Sequence, residues 1–466
     1  MARPTVVGMI DPEVRWTAEQ VLALAPDDAS RKAGGKLGLA GPWSDTGAGA
    51  AGAVWGLCKG SGGKPYRTVV DTAGPAYKCS CPSRKFPCKH ALGLLLLWAS
   101  GGAALPAGGE PPGWAGEWLA AREKRAAREK SAAAGAGAAG AAAGSAKAAD
   151  PEAARRRAER RAVRISAGVG ELEQRLADLL RGGTAGAEQQ GYGLWEETAA
   201  RMVDAQAPGL ASRARELGAI PRSGPGWPGR LLEEAALLHL LDRAWLGVEA
   251  LPEALAATVR TRVGLPSAPA GEQIRDTWSV LAQYDTSDGK LTTRRIWLHG
   301  RATGRFALLL AFGAAGRSPE LALPLGLAVD ARISPHAGAA QLRASWGEQF
   351  GTPEPMGAPP RGAGVASAVA AYGSALRDDP WLDAWPAVLS GVVPVRGSEG
   401  AGWRLVDASE GTALPLTEGA VERPGLWKLV ALAGGRPVTV FGECGHRGFE
   451  PLAAWSPEAA AMVALV

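Results

Sequence analysis

Residues 78–97 read KCSCPSRKFPCKHALGLLLL, and within about a dozen residues they gather three of the chain's five cysteines and one of its five histidines. Cys79 and Cys81 lie two apart at the end of a stretch with strand character, so both side chains leave one face and their sulfurs can converge on a single ion. Proline suits the first helical position and pushes the preceding residue out of the helical region, so a helix should begin near Pro87, run to about Ser100 and stop at Gly101-Gly102. Cys88 and His90 cannot share one face of a regular helix at a separation of two, so at least one must come from the turn before it. Three thiols and an imidazole, Cys79, Cys81, Cys88 and His90, form the donor set of one structural zinc ion. Its bonds run to about 2.3 Å for sulfur and about 2.0–2.1 Å for nitrogen, with no position left open for a substrate. The helix N-terminus and the surrounding lysines should favour the thiolates.

Working outward, Ala53–Lys59, Pro65–Thr72 and Ala76–Cys81 alternate as strands, with GSGG and AGP between them, and predict a small meander feeding the cluster. Upstream, residues 14–37 read as a short helix and its exit, and GLAGPWSDTGAGAAG (residues 38–52) reads as loop. Residues 51–100 carry Lys59, Lys64, Arg67, Lys78, Arg84, Lys85 and Lys89 against the single acid Asp71, an excess that covers the chain's whole formal charge of +5 with one to spare. Three thiolates on one divalent ion subtract one charge, so this module stays basic and attracts anionic partners. Lys78, Arg84, Lys85, Phe86 and Lys89 surround the cluster as a surface for phosphates or for a protein partner, with Tyr77 and Phe86 as stacking groups.

A chain of 466 residues exceeds one ordinary core. The predicted class is α+β multidomain. It comprises an N-terminal domain over 1–100, with the zinc module at about 53–100, a low-complexity Ala/Gly-rich linker over 101–150, a helical domain over 151–265 and a mixed C-terminal domain over 266–466. Helical patterns cover residues 150–181, 194–206, 211–217, 230–246 and 252–263. From Thr277 the period changes to that of strands in TWSVLAQY, LTTRRIWLH and RFALLLAF, with Asp288-Gly289 as a hairpin signal, and again in WRLVDA, LWKLVALA and RPVTVFGE. Between these groups residues 364–376 read as helix, so the sheets should be antiparallel.

The pattern Cys79-x-Cys81-x₆-Cys88-x-His90, with a meander before it and a helix after it, resembles the SWIM-type zinc finger over roughly residues 53–100. More loosely, PYRTVVD, MVDAQAPGLA, DPWL and the ending are similar to one bacterial family of SWIM-domain proteins. The resemblance implies zinc binding, protein or nucleic-acid contacts for the finger, and company with MoxR-type AAA ATPases and von Willebrand A-domain proteins. The expected role is a non-enzymatic adaptor for protein partners, with DNA binding through the basic surface as the alternative.

Other candidates give way to simpler readings. Cys58 has no place in a closed tetrahedral site and reads as a small buried hydrophobe. Cys444-Gly445-His446 lacks a partner pair, and His239, His299 and His336 read as structural. The G-x-G-x-x-G matches at Gly47–Gly52 and Gly135–Gly140 lack a strand upstream, and in GSGGKP the residue after the lysine is Pro65 rather than a hydroxyl. No acid/base constellation stands out, so the chain reads as non-enzymatic. The longest apolar run, Ala91–Ala99, is too short for a bilayer, which needs about 20 such residues. Asp11 and Glu13 fall where a secretory signal needs apolar residues, so the expected location is the cytoplasm.

Overall fold

The computed structural model describes residues 16–466 other than 23, 27, 50–51, 61–62, 73–75, 84, 102–104, 107, 123, 125–150, 184–186, 288–290, 315–318, 320, 398–401 and 457–460. The Ala/Gly tract read as a linker, the second glycine motif, Asp288-Gly289 and Arg84 lie outside the described residues.

The first unit is a four-stranded antiparallel sheet, β1 (Trp43–Ala48), β2 (Ala53–Cys58), β3 (Tyr66–Asp71) and β4 (Ala76–Cys79), in sequential order. Two short helices, α1 (Ala18–Leu22) and α2 (Asp28–Gly35), precede it, and α3 (Lys89–Ala99) packs across it. Strand β1 corrects the reading of residues 38–52 as loop. Gly47 sits in β1 opposite the indole of Trp55, where a Cβ would come within 2.5 Å of the ring. The glycine is there to admit a tryptophan, and composition alone hides that. Leu92, Leu94, Leu95 and Leu97 of α3 are buried with Val54 and Val70, each worth about 1.5–3 kcal/mol of burial. Residues 113–122, placed in the linker by composition, form a helix, α4, whose Ala115 packs on Ala53, Trp55 and Val69.

The second unit is the helical bundle of α5 (Pro151–Gly182), α6 (Ala187–Asp204), α7 (Pro208–Ala219), α8 (Trp227–Leu246) and α9 (Glu253–Val263). Its core follows the expected stripe of α5, with Ile165, Val169, Leu172 and Leu176 buried against Met202, Leu210, Leu238 and Val259.

The remainder holds two six-stranded sheets. The first contains β5 (Ile274–Ser287), β6 (Leu291–Gly300), β7 (Phe306–Ala314), β8 (Leu327–Pro335), β9 (Arg343–Gln349) and β10 (Glu354–Pro355). Strands β5, β6 and β7 pair in sequence, β5 also pairs β8, β7 runs parallel to β9, and β9 returns to β8, so five strands close a barrel. After α10 (Val365–Asp378) come β11 (Ala384–Arg396), β12 (Trp403–Asp407), β13 (Ala413–Pro415), α11 (Glu418–Glu422), α12 (Gly425–Ala433), β14 (Val438–Gly445), β15 (Gly448–Trp455) and β16 (Met462–Ala464). Here β11 pairs β12 and β14, β12 pairs β13, and β14 pairs β15. A parallel bridge from Leu416 to Phe449 brings the end of β13 to β15 and closes a second ring with the strand order of the first. The long opening strand of each barrel bends at a register shift, between Val280 and Ala282 in β5 and between Leu389 and Val392 in β11, where Gly391 takes φ +71°. LWKLVALA is a correction: it forms α12, not a strand.

The units share cores. Ala322 and Leu327 of the first barrel are buried with the zinc-module leucines. Trp381 inserts into the bundle core and donates its indole N–H to the carbonyl of Leu237 at 2.9 Å. Outer faces of the two barrels pack through Trp297 and Leu308 against Phe441, Leu452 and Trp455.

Candidate metal centre

Cys79 ends β4 opposite Thr68 of β3, whose hydroxyl lies 3.3 Å from its sulfur. Cys81 follows in a bend outside the strand, a correction to the reading of both cysteines on one strand. That bend does the work assigned to strand alternation. Cys88 is the N-cap of α3 with extended backbone, and its sulfur turns toward the cluster. His90 is the second residue of that helix. The helix therefore starts two residues after Pro87, and the extended Cys88 and the helical His90 can face one point.

The four donor atoms all lie within 4.8 Å of one another. His90 Nδ1 stands 3.7 Å from the Cys79 sulfur and 4.0 Å from that of Cys88. Tetrahedral zinc with the bond lengths given above separates its donors by roughly 3.5–3.8 Å, so the cluster is close to that shape before any adjustment. Among the described residues this is the one such group of donors. The site is half-buried to buried, with the ring of Tyr66 4.8 Å from that of His90.

Hydrogen bonds from Cys79 first and Cys88 second draw the Cys81 thiol down, while the bonds to Cys79 and Cys81, followed by burial, push Cys88 up. Burial draws His90 down, but its contacts with Cys79 and Cys81 outweigh it and raise it to about 9. Negative charge is thus concentrated on part of the cluster, and a central divalent cation is what allows all three thiols to ionise together. The donors fit one structural zinc ion.

Lys78, Lys85 and Lys89 are exposed around the cluster. Phe86 is half-buried and meets the buried Tyr77 edge-on at 5.6 Å, so both rings pack beneath the knuckle instead of facing a ligand. Cys58 is fully buried in β2, where burial pushes its thiol up to about 11. Cys444 lies in the core of the second barrel, and His446 Nδ1 lies 3.0 Å from the Tyr372 hydroxyl. His239 pairs with Glu173 at 2.8 Å, and His336 sits between the hydroxyls of Ser267 and Ser345, each at 2.8 Å. The positioning roles of Thr68 and Tyr66 have no signature in the cluster's spacing; only the pairing of β3 with β4 and the position of α3 create them.

Residues 66–99 match the SWIM zinc finger, and residues 160–263 match the SWIM-associated four-helix bundle domain. The first match covers the meander's last strands, the four donors and α3, and the second runs from within α5 to the end of α9. No curated protein and no solved structure matches the chain. Among the described residues no helix is long and apolar enough to cross a membrane.

Proposed function

We propose that the chain is a non-enzymatic adaptor, with the zinc finger as a scaffold that presents a recognition surface to a protein partner. The observation that carries this reading is the closed donor set of Cys79, Cys81, Cys88 and His90: four protein ligands complete a tetrahedral zinc and leave no position for a substrate. The packing of Tyr77 and Phe86 under the knuckle agrees, since nucleic-acid surfaces of this kind use exposed rings for stacking. The family resemblance nominates a MoxR-type AAA ATPase or a von Willebrand A-domain protein as the partner. The exposed lysines favour a second reading, in which phosphates of DNA bind Lys78, Lys85 and Lys89.

The test mixes the zinc-loaded chain with a purified MoxR-type ATPase and, separately, with labelled duplex DNA, each across a salt series, and repeats both with Lys85→Ala/Lys89→Ala. The adaptor reading expects a defined complex that survives the lysine substitutions. A chain that ignores the ATPase, yet binds DNA in a salt-sensitive manner lost with the lysines, transfers the function to nucleic acid.

A further inference from the structure

The two barrels repeat one connectivity. In chain order the strands of each ring run 1-2-3-5-4 and back to 1, with the third parallel to the fifth and the other pairs antiparallel. In the second barrel, helices α11 and α12 connect strands three and four. This is the architecture of the five-stranded Greek-key barrel that binds oligonucleotides and oligosaccharides on the outer face of strands two and three, flanked by the loops joining strands one to two and four to five. Fold alone assigns no ligand. The side chains must do so.

In the first barrel, part of that face is covered by the second barrel, and the rest opens into a cleft of about 1130 Å³ that also touches α7 and α9 of the bundle. Its floor includes Tyr284, Arg295 and Leu310, and its rim is the loop of residues 336–342 between strands four and five. Six arginines line the cleft and six acids oppose them. Four pairs cancel: Arg262 with Asp379 at 2.8 Å, Arg295 with Glu443 at 3.6 Å, Arg423 with Glu450, and Arg447 with Glu234.

The remainder is asymmetric. Glu216 and Asp383 are exposed to water, which screens them, whereas Arg213 and Arg343 are half-buried and have no carboxylate partner among the described residues. Arg343 extends from β9 beside Leu308 of β7, on the outer face, since Ala344 and Leu309 point into the barrel core. Burial with no neighbouring acid draws its pKa below the ordinary arginine value. Arg343 on the barrel and Arg213 across the cleft on α7 are partly desolvated cations that an anionic group would satisfy.

We propose that this cleft binds a single-stranded nucleic acid, with Arg343 and Arg213 receiving backbone phosphates. The site is separate from the zinc knuckle, so it stands whichever reading of the finger holds. The full-length, zinc-loaded chain is titrated into a fluorescein-labelled oligothymidylate, and into the same strand annealed as a duplex, with anisotropy read across a salt series. Preference for the single strand is expected. Arg343→Gln and Arg213→Gln should each weaken binding by about tenfold and lower the slope of log affinity against log salt by about one, while Lys85→Ala/Lys89→Ala leaves both nearly unchanged. Wild-type zinc content and melting temperature in the arginine variants separate a lost contact from a lost fold. Absence of binding at low salt, equal binding of duplex, or binding that depends on the lysines and ignores the arginines overturns the proposal. Displacement of the oligonucleotide by micromolar inorganic phosphate overturns it in favour of free phosphate.

Discussion

Single residues decide the two sites where this protein departs from an inert scaffold. Replacing Cys88 by Ser removes one zinc ligand from the cap of α3, and because ligand assembly and folding of such a module are one equilibrium, the variant should lose its zinc together with the structure of β1–β4 and α3. Metal analysis beside far-ultraviolet circular dichroism checks this; a zinc-free variant with an intact module would refute it. In the bundle, Asp242 is fully buried and faces Glu173. Burial first, and the facing Glu173 second, push its pKa from 3.8 to about 9. The folded state therefore holds a proton that the unfolded chain releases, so its contribution to stability is complete below the unfolded value and falls as pH rises toward 9. Asp242→Asn imitates the protonated form and should stabilise the protein at neutral pH by on the order of 1–3 kcal/mol, with a smaller effect near pH 4. Urea titrations at both pH values check the slope, and equal gains at both would show that the carboxyl is ionised in the fold. The zinc donors were legible because their chemistry is local and their spacing unusual. Asp242 was not, since an aspartate in a helical pattern carries no mark of the core it enters.

At the scale of elements, pattern succeeded where one period ran long and failed where a run was short or glycine-rich. The stripe of α5 and the strands β5 to β7 could be read because each shows its period over many residues. LWKLVALA is apolar at nearly every position, so period cannot separate a buried strand from a helix. The deciding signals were its flanks: Pro424 at the N-cap and Gly434 in the left-handed region, φ +51°, at the C-cap. Gly93 makes a related point inside α3. Alanine there would gain about 1 kcal/mol of helix propensity, but its Cβ would lie 2.5 Å from Leu37 Cβ and 3.1 Å from Leu37 backbone atoms. The backbone cannot swing aside as a flexible side chain does, so Gly93→Ala should destabilise the module by about 1–3 kcal/mol despite the better propensity. Urea denaturation of the zinc-loaded protein decides it, and a stabilised variant would mean that Leu37 and its turn yield easily.

At the scale of the whole molecule, the joins were invisible in the sequence. Nothing local marks Trp381 as part of the bundle's core, or the strand order that closes two rings, because such contacts depend on residues far apart in the chain. The same holds for Ala322 and Leu327, whose burial with Val54, Leu92 and Leu94 ties the first barrel to the zinc module. Composition suggested a tethered finger; the shared core makes the finger part of the barrel's support. Metal removal should therefore be felt beyond the ligands. When a strong chelator strips the zinc, the leucines of α3 lose the element that fixes them, and the start of β8 loses its apolar cover. Hydrogen exchange should then accelerate at the described amides from Leu321 to Val329 as well as across β1–β4, while the bundle over α5–α9 keeps its protection. Acceleration confined to the zinc module would show that the contact with Ala322 and Leu327 carries no coupling, and that the finger opens without disturbing the barrel beneath it.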